Sequence, residues 1–238
     1  MPGAARGRNP CQRSVGDLET RVLFNEYVEV AMTERVRKII TDHAHDGAEL
    51  RKTFFADHAA QVAEVARAMA LCLTAGGKIL FCGNGGSAAD AQHFAAELVN
   101  RFMMERPPLP AIALTTDTSA LTAIGNDYSF DRIFSKQVQA LGRPGDVLIG
   151  ISTSGKSANV NEALRVALEN GLVTVGLGGG NGGPMLVHCH HALIVPDSRT
   201  PLIQEIHGAI GHLLCGLVDY YLFEAVAELE PFLGSEQS

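Results

Sequence analysis

Short apolar runs alternate with longer amphipathic segments from residue 78 onward. The runs are apolar on both faces, as the strands of a parallel sheet covered by helices on each side must be. Five candidate strands fit this description: 79–82, 111–114, 147–151, 173–177 and 192–195. The segments between them have apolar positions at helical spacing. The pattern therefore predicts an α/β fold with a doubly wound, five-stranded parallel sheet, whose ligands bind at the carboxyl ends of the strands.

The residues before the first predicted strand divide into two parts. Residues 1–31 begin with a stretch rich in Gly, Pro and Arg and show no periodicity, so we predict that they form a disordered extension. Residues 34–45 and 48–76 have apolar positions at helical spacing, which predicts two extra N-terminal helices. We therefore expect a single domain over residues 32–235.

The composition narrows the class of partner. The chain has 238 residues and a net charge of −7, whereas a surface that binds a nucleic-acid backbone must be basic. Its five cysteines have no CxxC spacing, and three lie in apolar runs, which is typical of reduced thiols in a cytosolic protein. No apolar stretch reaches the roughly 18–20 residues of a membrane span. We therefore expect a cytoplasmic protein that binds neither nucleic acid nor a membrane.

The first predicted strand is followed by a Gly/Ser loop, Gly83-Asn84-Gly85-Gly86-Ser87, which opens an apparent helix. Backbone N–H groups at a helix N-terminus bind anions, above all phosphate. The loop also matches the dinucleotide fingerprint G-x-G-x-x-A, but the acidic residue after the next strand, Asp117, lies 34 residues past Gly83 rather than about 20. The sequence favours a phosphate site, and a tight turn without a ligand is the simpler alternative.

The third predicted strand is followed by a hydroxyl-rich loop, Ser152-Thr153-Ser154-Gly155-Lys156-Ser157. With Gly150 before it, this loop satisfies the nucleotide-binding P-loop pattern G-x-x-x-x-G-K-[ST]. A P-loop usually begins its fold and works with a magnesium-binding Asp on a neighbouring strand, neither of which is clear here. A run of hydroxyl groups can instead bind one phosphate monoester, which is the interpretation that the sequence favours.

His93 and Glu97 are four residues apart in the helix predicted after the first loop, so they share one face of it. An imidazole and a carboxylate are suitable ligands for Zn²⁺ or a similar divalent ion. The same spacing is also found in simple surface His–Glu pairs, which are commoner than metal sites. The pair alone therefore leaves both interpretations open.

The last long helix, predicted over about 201–226, adds Gln204 and His212 to an otherwise apolar face. A polar group on such a face costs free energy unless it has a partner, which favours a ligand function. The two residues are about 12 Å apart along a regular helix axis. They could share a metal only if their side chains converge, if the helix is irregular near Gly208 and Gly211, or if the ligands come from different subunits. We therefore predict a site close to a subunit interface.

Several of these motifs, in this order, resemble the phosphoheptose isomerases of the sugar-isomerase (SIS) domain group. The matching positions are 82–90, 92–98, 125–127, 152–155 with Ser157, and 203–207 with His212. The similarity extends over roughly 32–223, nearly all of the predicted domain. Two departures are Leu202, where the family often has Arg, and the N-terminal extension. Lys156 falls at a variable position of the family's loop, which makes the P-loop match accidental.

The resemblance implies an SIS domain with a flavodoxin-like sheet, a homotetramer and one zinc ion per subunit. By similarity, the zinc ligands are His93, Glu97, Gln204 and His212. The implied substrate contacts are Asn84, Gly85, Gly86, Ser87, Glu97, Asn126, Asp127, Ser152, Thr153, Ser154, Ser157 and Gln204. Glu97 is then the natural base and His212 its acid/base partner, because both residue types exchange protons near neutral pH.

The reaction implied by the resemblance is an aldose–ketose isomerisation. Sedoheptulose 7-phosphate would be converted through an enediol to D-glycero-D-manno-heptose 7-phosphate, the first step of nucleotide-activated heptose biosynthesis for lipopolysaccharide. A non-enzymatic alternative exists, because some SIS-domain proteins are sugar-phosphate sensors or adaptors. Replication-associated relatives lack the acidic and imidazole pair that this chain keeps in Glu97 and His212, which favours the enzyme.

Overall fold

The computed structural model describes residues 33–233, which divide into two compact units, residues 33–48 and 49–233. The predicted extension over residues 1–31 lies outside the described residues. In the first unit, the hydroxyl of Thr33 accepts a hydrogen bond from the backbone N–H of Val36 at 3.3 Å. Thr33 therefore caps the helix that begins at Glu34.

The first helix, α1, extends over Glu34–Thr74. The prediction of two extra N-terminal helices is therefore wrong. The two predicted helices were separated at residues 46–47, but the one glycine there, Gly47, costs only about 1 kcal/mol relative to alanine, and no proline follows it before the helix ends. In the second unit, α1 buries one apolar stripe, which includes Phe54, Val65 and Met69.

The core of the second unit is a five-stranded, all-parallel sheet with the order β2-β1-β3-β4-β5. The strands are β1 (Ile79–Gly83), β2 (Ala111–Ala113), β3 (Val147–Ser152), β4 (Val173–Gly179) and β5 (His191–Val195). All five predicted strands are confirmed, with bounds that agree to within two residues. This order is that of the flavodoxin-like folds, in which the chain reverses direction across the sheet between β1 and β3.

The helices cover both faces of this sheet. They are α2 (Gly86–Val99), α3 (Thr118–Asp127), α4 (Ser135–Leu141), α5 (Ala158–Glu169), α6 (Thr200–Asp219) and α7 (Glu230–Leu233), with a π-helical turn at Tyr220–Glu224. Alternate residues of β1 face different cores: Ile79 and Phe81 contact the cluster that includes α1, α2 and α6, and Leu80 and Cys82 contact the cluster that includes α4 and α5. The doubly wound architecture is therefore as predicted.

The last long helix corrects one expectation about membranes. The continuous helical segment Thr200–Glu224 is long and apolar enough, by length and composition, to cross a bilayer, so the statement that no stretch reaches this length is wrong. Glu205 and Asp219 divide the segment, so it has no long uninterrupted apolar run although its mean hydropathy is high. Because 56% of the apolar window is buried inside the described fold, this segment packs as a core helix of the domain.

Candidate active site

The two glycine- and serine-containing loops lie side by side. Strands β1 and β3 are neighbours in the sheet, with Cys82 opposite Gly150 and Gly83 opposite Ile151. Parallel neighbours end at the same edge, so the loops that follow them emerge next to each other. This edge is also the point at which the strand order reverses, where ligands of such folds bind.

The first loop is shaped by its glycines. Gly85, the residue before α2, has a φ of 57°, which a side chain would disfavour. A Cβ atom on Gly83 would lie 2.7 Å from the backbone oxygen of Ser87. Ser87 itself is buried in the turn, and its backbone N–H bonds to the carbonyl of Asn84 at 3.0 Å. The loop therefore brings backbone N–H groups of α2 to the sheet edge.

The second loop holds its hydroxyl groups close together. The hydroxyl oxygens of Ser152 and Ser157 are 2.9 Å apart, and the backbone N–H of Lys156 donates to the hydroxyl of Ser154 at 3.2 Å. Ser157 precedes α5, and its side chain does not cap that helix. Gly155 has a φ of 64°, and a Cβ atom there would collide with the backbone oxygen of Gly182.

The strands beside β3 argue against a nucleotide-binding P-loop. Such a loop needs an Asp at the carboxyl end of a neighbouring strand to hold magnesium. Strand β1 ends in Cys82-Gly83 and β4 ends in Gly178-Gly179, so neither provides a carboxylate at this edge. The side chain of Lys156 is exposed. The phosphate-monoester interpretation of this loop is the one that its surroundings favour.

Three of the four predicted metal ligands converge. The side chains of His93 and Glu97 on α2 and of His212 on α6 bring donor atoms within 4.8 Å of one another. Nε2 of His93 is 3.0 Å from Oε1 of Glu97 and 3.3 Å from Nε2 of His212. Two ligands of a tetrahedral zinc ion with bonds of about 2.0–2.1 Å are about 3.3 Å apart. The donor types and their spacing therefore fit a zinc ion.

Close packing of α2 on α6 produces this convergence. A Cβ atom on Gly211 would lie 2.1 Å from the ring of Phe94, so only glycine permits the observed approach. Gly211 precedes His212, and Phe94 follows His93, so the contact lies directly beside the two imidazoles. The ring of Phe102 stacks on that of His212 with centroids 5.6 Å apart.

Replacing Gly211 by alanine is expected to destabilise the fold by about 1–3 kcal/mol, because the added methyl group overpacks the contact with Phe94. It is also expected to weaken zinc binding by separating α2 from α6. The matched control is Gly208→Ala on the same helix, where a Cβ atom meets nothing within 4 Å. Urea unfolding and zinc titration measure both effects, and equal behaviour of the two variants would contradict the prediction.

Gln204, the fourth predicted ligand, lies beside the first loop. A Cβ atom on Gly86 would be 2.2 Å from its Nε2 atom, which places the Gln204 side chain against the start of α2. Helix α6 is α-helical throughout Thr200–Asp219, so it is not interrupted at Gly208 or Gly211. The structure brings Gln204 to the predicted substrate loop, and its function as a zinc ligand stays a prediction.

The remaining predicted substrate contacts lie at the end of α3. Asn126 and Asp127 are exposed, and the amide of Asn126 donates to the carboxylate of Asp127 at 2.9 Å. Leu202, at the position where the resembling family often has Arg, is buried. The side chain at this position therefore offers a substrate no polar contact in this chain.

Two features that could not be predicted from the sequence connect the loops and helices of the candidate site. The first is a pair of reciprocal hydrogen bonds between the side chains of Asn84 and Asn159. The second is a buried ion pair, with Nε of Arg106 2.8 Å from Oδ1 of Asp219 at the end of α6. The guanidinium of Arg106 also donates to backbone carbonyls in the last turn of α2, those of Glu97 and Leu98. It thus joins the carboxyl ends of the two helices that carry the candidate ligands.

His207 anchors α6 to the sheet. Its ring is fully buried, and Nε2 donates to the carbonyl of Gly178 on β4 at 2.9 Å, whereas Nδ1 has no hydrogen-bond partner. Burial lowers the pKa of His207 to about 4, and the bond to Gly178 opposes this shift only partly. The ring is therefore neutral in the folded protein at neutral pH.

His207 predicts a pH dependence of stability. Its pKa in the folded chain is lower than the ordinary value of 6.5, so the unfolded chain binds more protons between these values. The free energy of unfolding is therefore expected to fall by up to about 3 kcal/mol as the pH falls from 6.5 towards 4. Urea unfolding over this range tests it by comparison with His207→Met. An equally steep decline in both proteins would contradict the prediction.

The chain is similar to a known family over most of its length. The family model for the SIS domain matches residues 42–179. Among relatives, a phosphoheptose isomerase of Nitratidesulfovibrio vulgaris (strain DSM 19637 / Miyazaki F) is 62% identical over 202 residues, 85% of this chain and 97% of the relative. One of Solidesulfovibrio magneticus is 63% identical over 202 residues, 85% of this chain and 98% of the relative.

Solved structures give the same result. A phosphoheptose isomerase of Neisseria gonorrhoeae has a TM-score of 0.73 and 48% identity, covering 77% of this chain and 98% of its own. A phosphoheptose isomerase of Francisella tularensis has a TM-score of 0.75 and 41% identity, covering 79% and 99%. The similarity extends over nearly the whole of each solved chain.

Proposed function

The chain belongs to the phosphoheptose isomerase family of SIS-domain proteins, and from this premise we propose how its side chains isomerise sedoheptulose 7-phosphate. The chain is an aldose–ketose isomerase, and the product of this reaction is D-glycero-D-manno-heptose 7-phosphate. The observation that carries the proposal is the arrangement of the sheet edge. Two loops that we expect to bind anions lie side by side there, and α2 extends from one of them to the cluster of Glu97, His93 and His212.

The loop Ser152–Ser157 is proposed to hold the substrate's phosphate group. Its clustered hydroxyls and the N-terminus of α5 supply hydrogen-bond donors and a favourable dipole. The phosphate is the end of the substrate farthest from the reacting carbons. Its binding energy therefore fixes the position of the sugar without taking part in the chemistry. The loop Asn84–Ser87, with Asn126, Asp127 and Gln204, is proposed to orient the sugar.

Glu97 is proposed to move the proton between the reacting carbons. Converting the ketose into the aldose removes a proton from C1 and returns a proton to C2 by way of an enediol. A carboxylate is a suitable base for both transfers. Oε1 of Glu97 faces His93, and the second carboxylate oxygen is proposed to take the proton. His212, 3.3 Å from His93, is proposed to exchange the proton between the two substrate oxygens.

The cluster is also proposed to hold one zinc ion per subunit. His93, Glu97 and His212 would be ligands, and Gln204 is the expected fourth. When bound, zinc supplies a Lewis acid that polarises the substrate carbonyl and stabilises the negative charge that develops on the substrate oxygens. Elemental analysis of the purified protein is expected to find one zinc per chain and less in His93→Ala.

We also propose a cytoplasmic homotetramer with its sites near subunit interfaces. An apolar cavity of about 510 Å³ opens beside His212 and is lined by Phe102, Met103 and Leu213 among others. Met103 is 83% exposed and Leu213 42% exposed, so the residues around the cluster form an apolar surface that a second copy would cover. Sedimentation analysis tests the assembly, and a monomer that turns over substrate would contradict it.

Turnover of sedoheptulose 7-phosphate, followed by NMR of the sugar, tests the proposed function. The zinc-loaded protein is expected to form the aldoheptose 7-phosphate, which would enter nucleotide-activated heptose and lipopolysaccharide biosynthesis. A sugar-phosphate adaptor, the alternative function, would bind the ketose and leave it unchanged. The presence of both Glu97 and His212 at one cluster favours the enzyme.

A further inference from the structure

Two asparagine side chains connect the loops of the site. Nδ2 of Asn84 donates to Oδ1 of Asn159 at 2.8 Å, and Nδ2 of Asn159 donates to Oδ1 of Asn84 at 2.9 Å. We call these two residues the asparagine pair. Asn84 belongs to the loop after β1, and Asn159 is the second residue of α5, directly after the hydroxyl-rich loop. The pair is therefore a two-bond bridge between neighbouring loops.

The surroundings of Asn159 make this bridge rigid. Asn159 is only 2% exposed, and its Oδ1 atom also accepts the backbone N–H of Val160 at 2.9 Å. A buried amide that lost these partners would be left with unsatisfied polar atoms, which costs about 1–3 kcal/mol. Val160 packs in the apolar core below the loop. The orientation of Asn159 is therefore fixed from the helix side, and it fixes Asn84 in turn.

The bridge joins the two functional ends of the proposed site. On one side, α5 and the hydroxyl-rich loop are proposed to hold the phosphate. On the other side, α2 begins two residues after Asn84 and carries Glu97 further along. The distance from the bound phosphate to the base depends on how these two elements are held together. A misplacement of about 1 Å can lower the rate of a reaction about 100-fold.

We propose that Asn159 is a positioning residue, which through Asn84 holds the phosphate loop in register with Glu97. This inference rests on the proposed isomerase function. In this inference the side chain of Asn84 connects two loops of the site, in addition to the substrate contact that the resemblance implies for this residue. Oδ1 of Asn84 is occupied by Asn159, so the loop offers the substrate the backbone of Asn84 and its second amide hydrogen.

The experiment compares Asn159→Ala, Asn84→Ala and the double variant with the wild type. The rate constant kcat for sedoheptulose 7-phosphate is expected to fall roughly 10- to 100-fold in each single variant. The double variant is expected to be no slower than the slower single variant, because both substitutions break the same bridge. Inhibition by inorganic phosphate and the zinc content are expected to stay close to wild-type values, since each end of the site remains intact.

Two further variants make the result specific. Asn170→Ala, at the other end of α5, where the side chain is exposed, is expected to leave kcat unchanged. Asn159→Asp keeps the size of the side chain but places an oxygen against Oδ1 of Asn84, so it is expected to lower kcat even if Asn159→Ala fails to fold. A purely structural contribution would change the melting temperature and leave kcat unchanged.

The outcomes separate this inference from the proposed function. If the wild type does not convert sedoheptulose 7-phosphate, the proposed function is rejected. If the wild type is active and Asn159→Asp has unchanged kcat, the positioning inference alone is rejected. Multiplicative losses in the double variant would also reject it, because Asn84 and Asn159 would then act independently.

Discussion

Replacing Glu97 by glutamine is expected to lower kcat for sedoheptulose 7-phosphate by about 10²- to 10⁴-fold, the range that general-base catalysis contributes. Glutamine keeps the size of the side chain and an oxygen that can face His93, but it cannot accept a proton from carbon. Oε1 of Glu97 lies 3.0 Å from Nε2 of His93, and both residues belong to the cluster with His212. Steady-state kinetics of the zinc-loaded variant measure the effect.

Two controls isolate the loss of the base. Zinc content, measured on the same preparation, shows whether the substitution has emptied the cluster. Glu105→Gln removes a carboxylate whose side chain is 91% exposed, and it is expected to leave kcat unchanged. A zinc-loaded Glu97→Gln variant with kcat within a few-fold of the wild type would exclude Glu97 as the base.

Replacing Arg106 by alanine is expected to have the largest effect on stability, a loss of about 3–5 kcal/mol. The substitution leaves the buried carboxylate of Asp219 without its counter-charge at Oδ1, and Oδ2 of Asp219 already has no hydrogen-bond partner. It also removes the side-chain donor from the carbonyl of Glu97 and one of the two donors from that of Leu98, which keeps the backbone N–H of Leu109. Urea unfolding measures the loss of free energy.

The matched control is Arg101→Ala, in the same connecting segment. Arg101 pairs with Glu105 at 3.6 Å, and both side chains are largely exposed, so its loss is expected to cost less than about 1 kcal/mol. Asp219→Asn keeps the shape of the buried pair and is expected to be destabilised less than Arg106→Ala. Equal losses of unfolding free energy for Arg101→Ala and Arg106→Ala would show that the buried pair contributes no more to stability than an exposed pair.

The sheet could be predicted from sequence because the strands are short runs of apolar residues, a pattern that indicates burial on both faces. A run such as 147–151, apolar at every position, has the length of a strand rather than of a helix and fits a strand covered on both faces. The ends of the helices were harder to predict, because a single glycine within a helical pattern is only a weak indication that the helix ends there. The predicted break lay at residues 46–47, where Gly47 costs about 1 kcal/mol, which is small beside the hydrogen bonds of a long helix.

The candidate site could be predicted only as far as its contacts are local. His93 and Glu97 are four residues apart, and helix geometry alone brings them together. Asn159 and Asn84 are 75 residues apart, and Arg106 and Asp219 are 113 apart, so no spacing rule could have joined either pair. The contact of Gly211 with Phe94 could not be predicted either, because it depends on how two helices that are distant in sequence pack.

The measurement that tests the enediol account most directly is turnover of sedoheptulose 7-phosphate in D₂O by the zinc-loaded wild type, followed by NMR. The side chain of Glu97 is 26% exposed, so a proton that it takes from C1 can exchange with solvent before transfer to C2. The account predicts an aldoheptose 7-phosphate that carries deuterium at C2. Absence of product, or product without deuterium at C2, would contradict it.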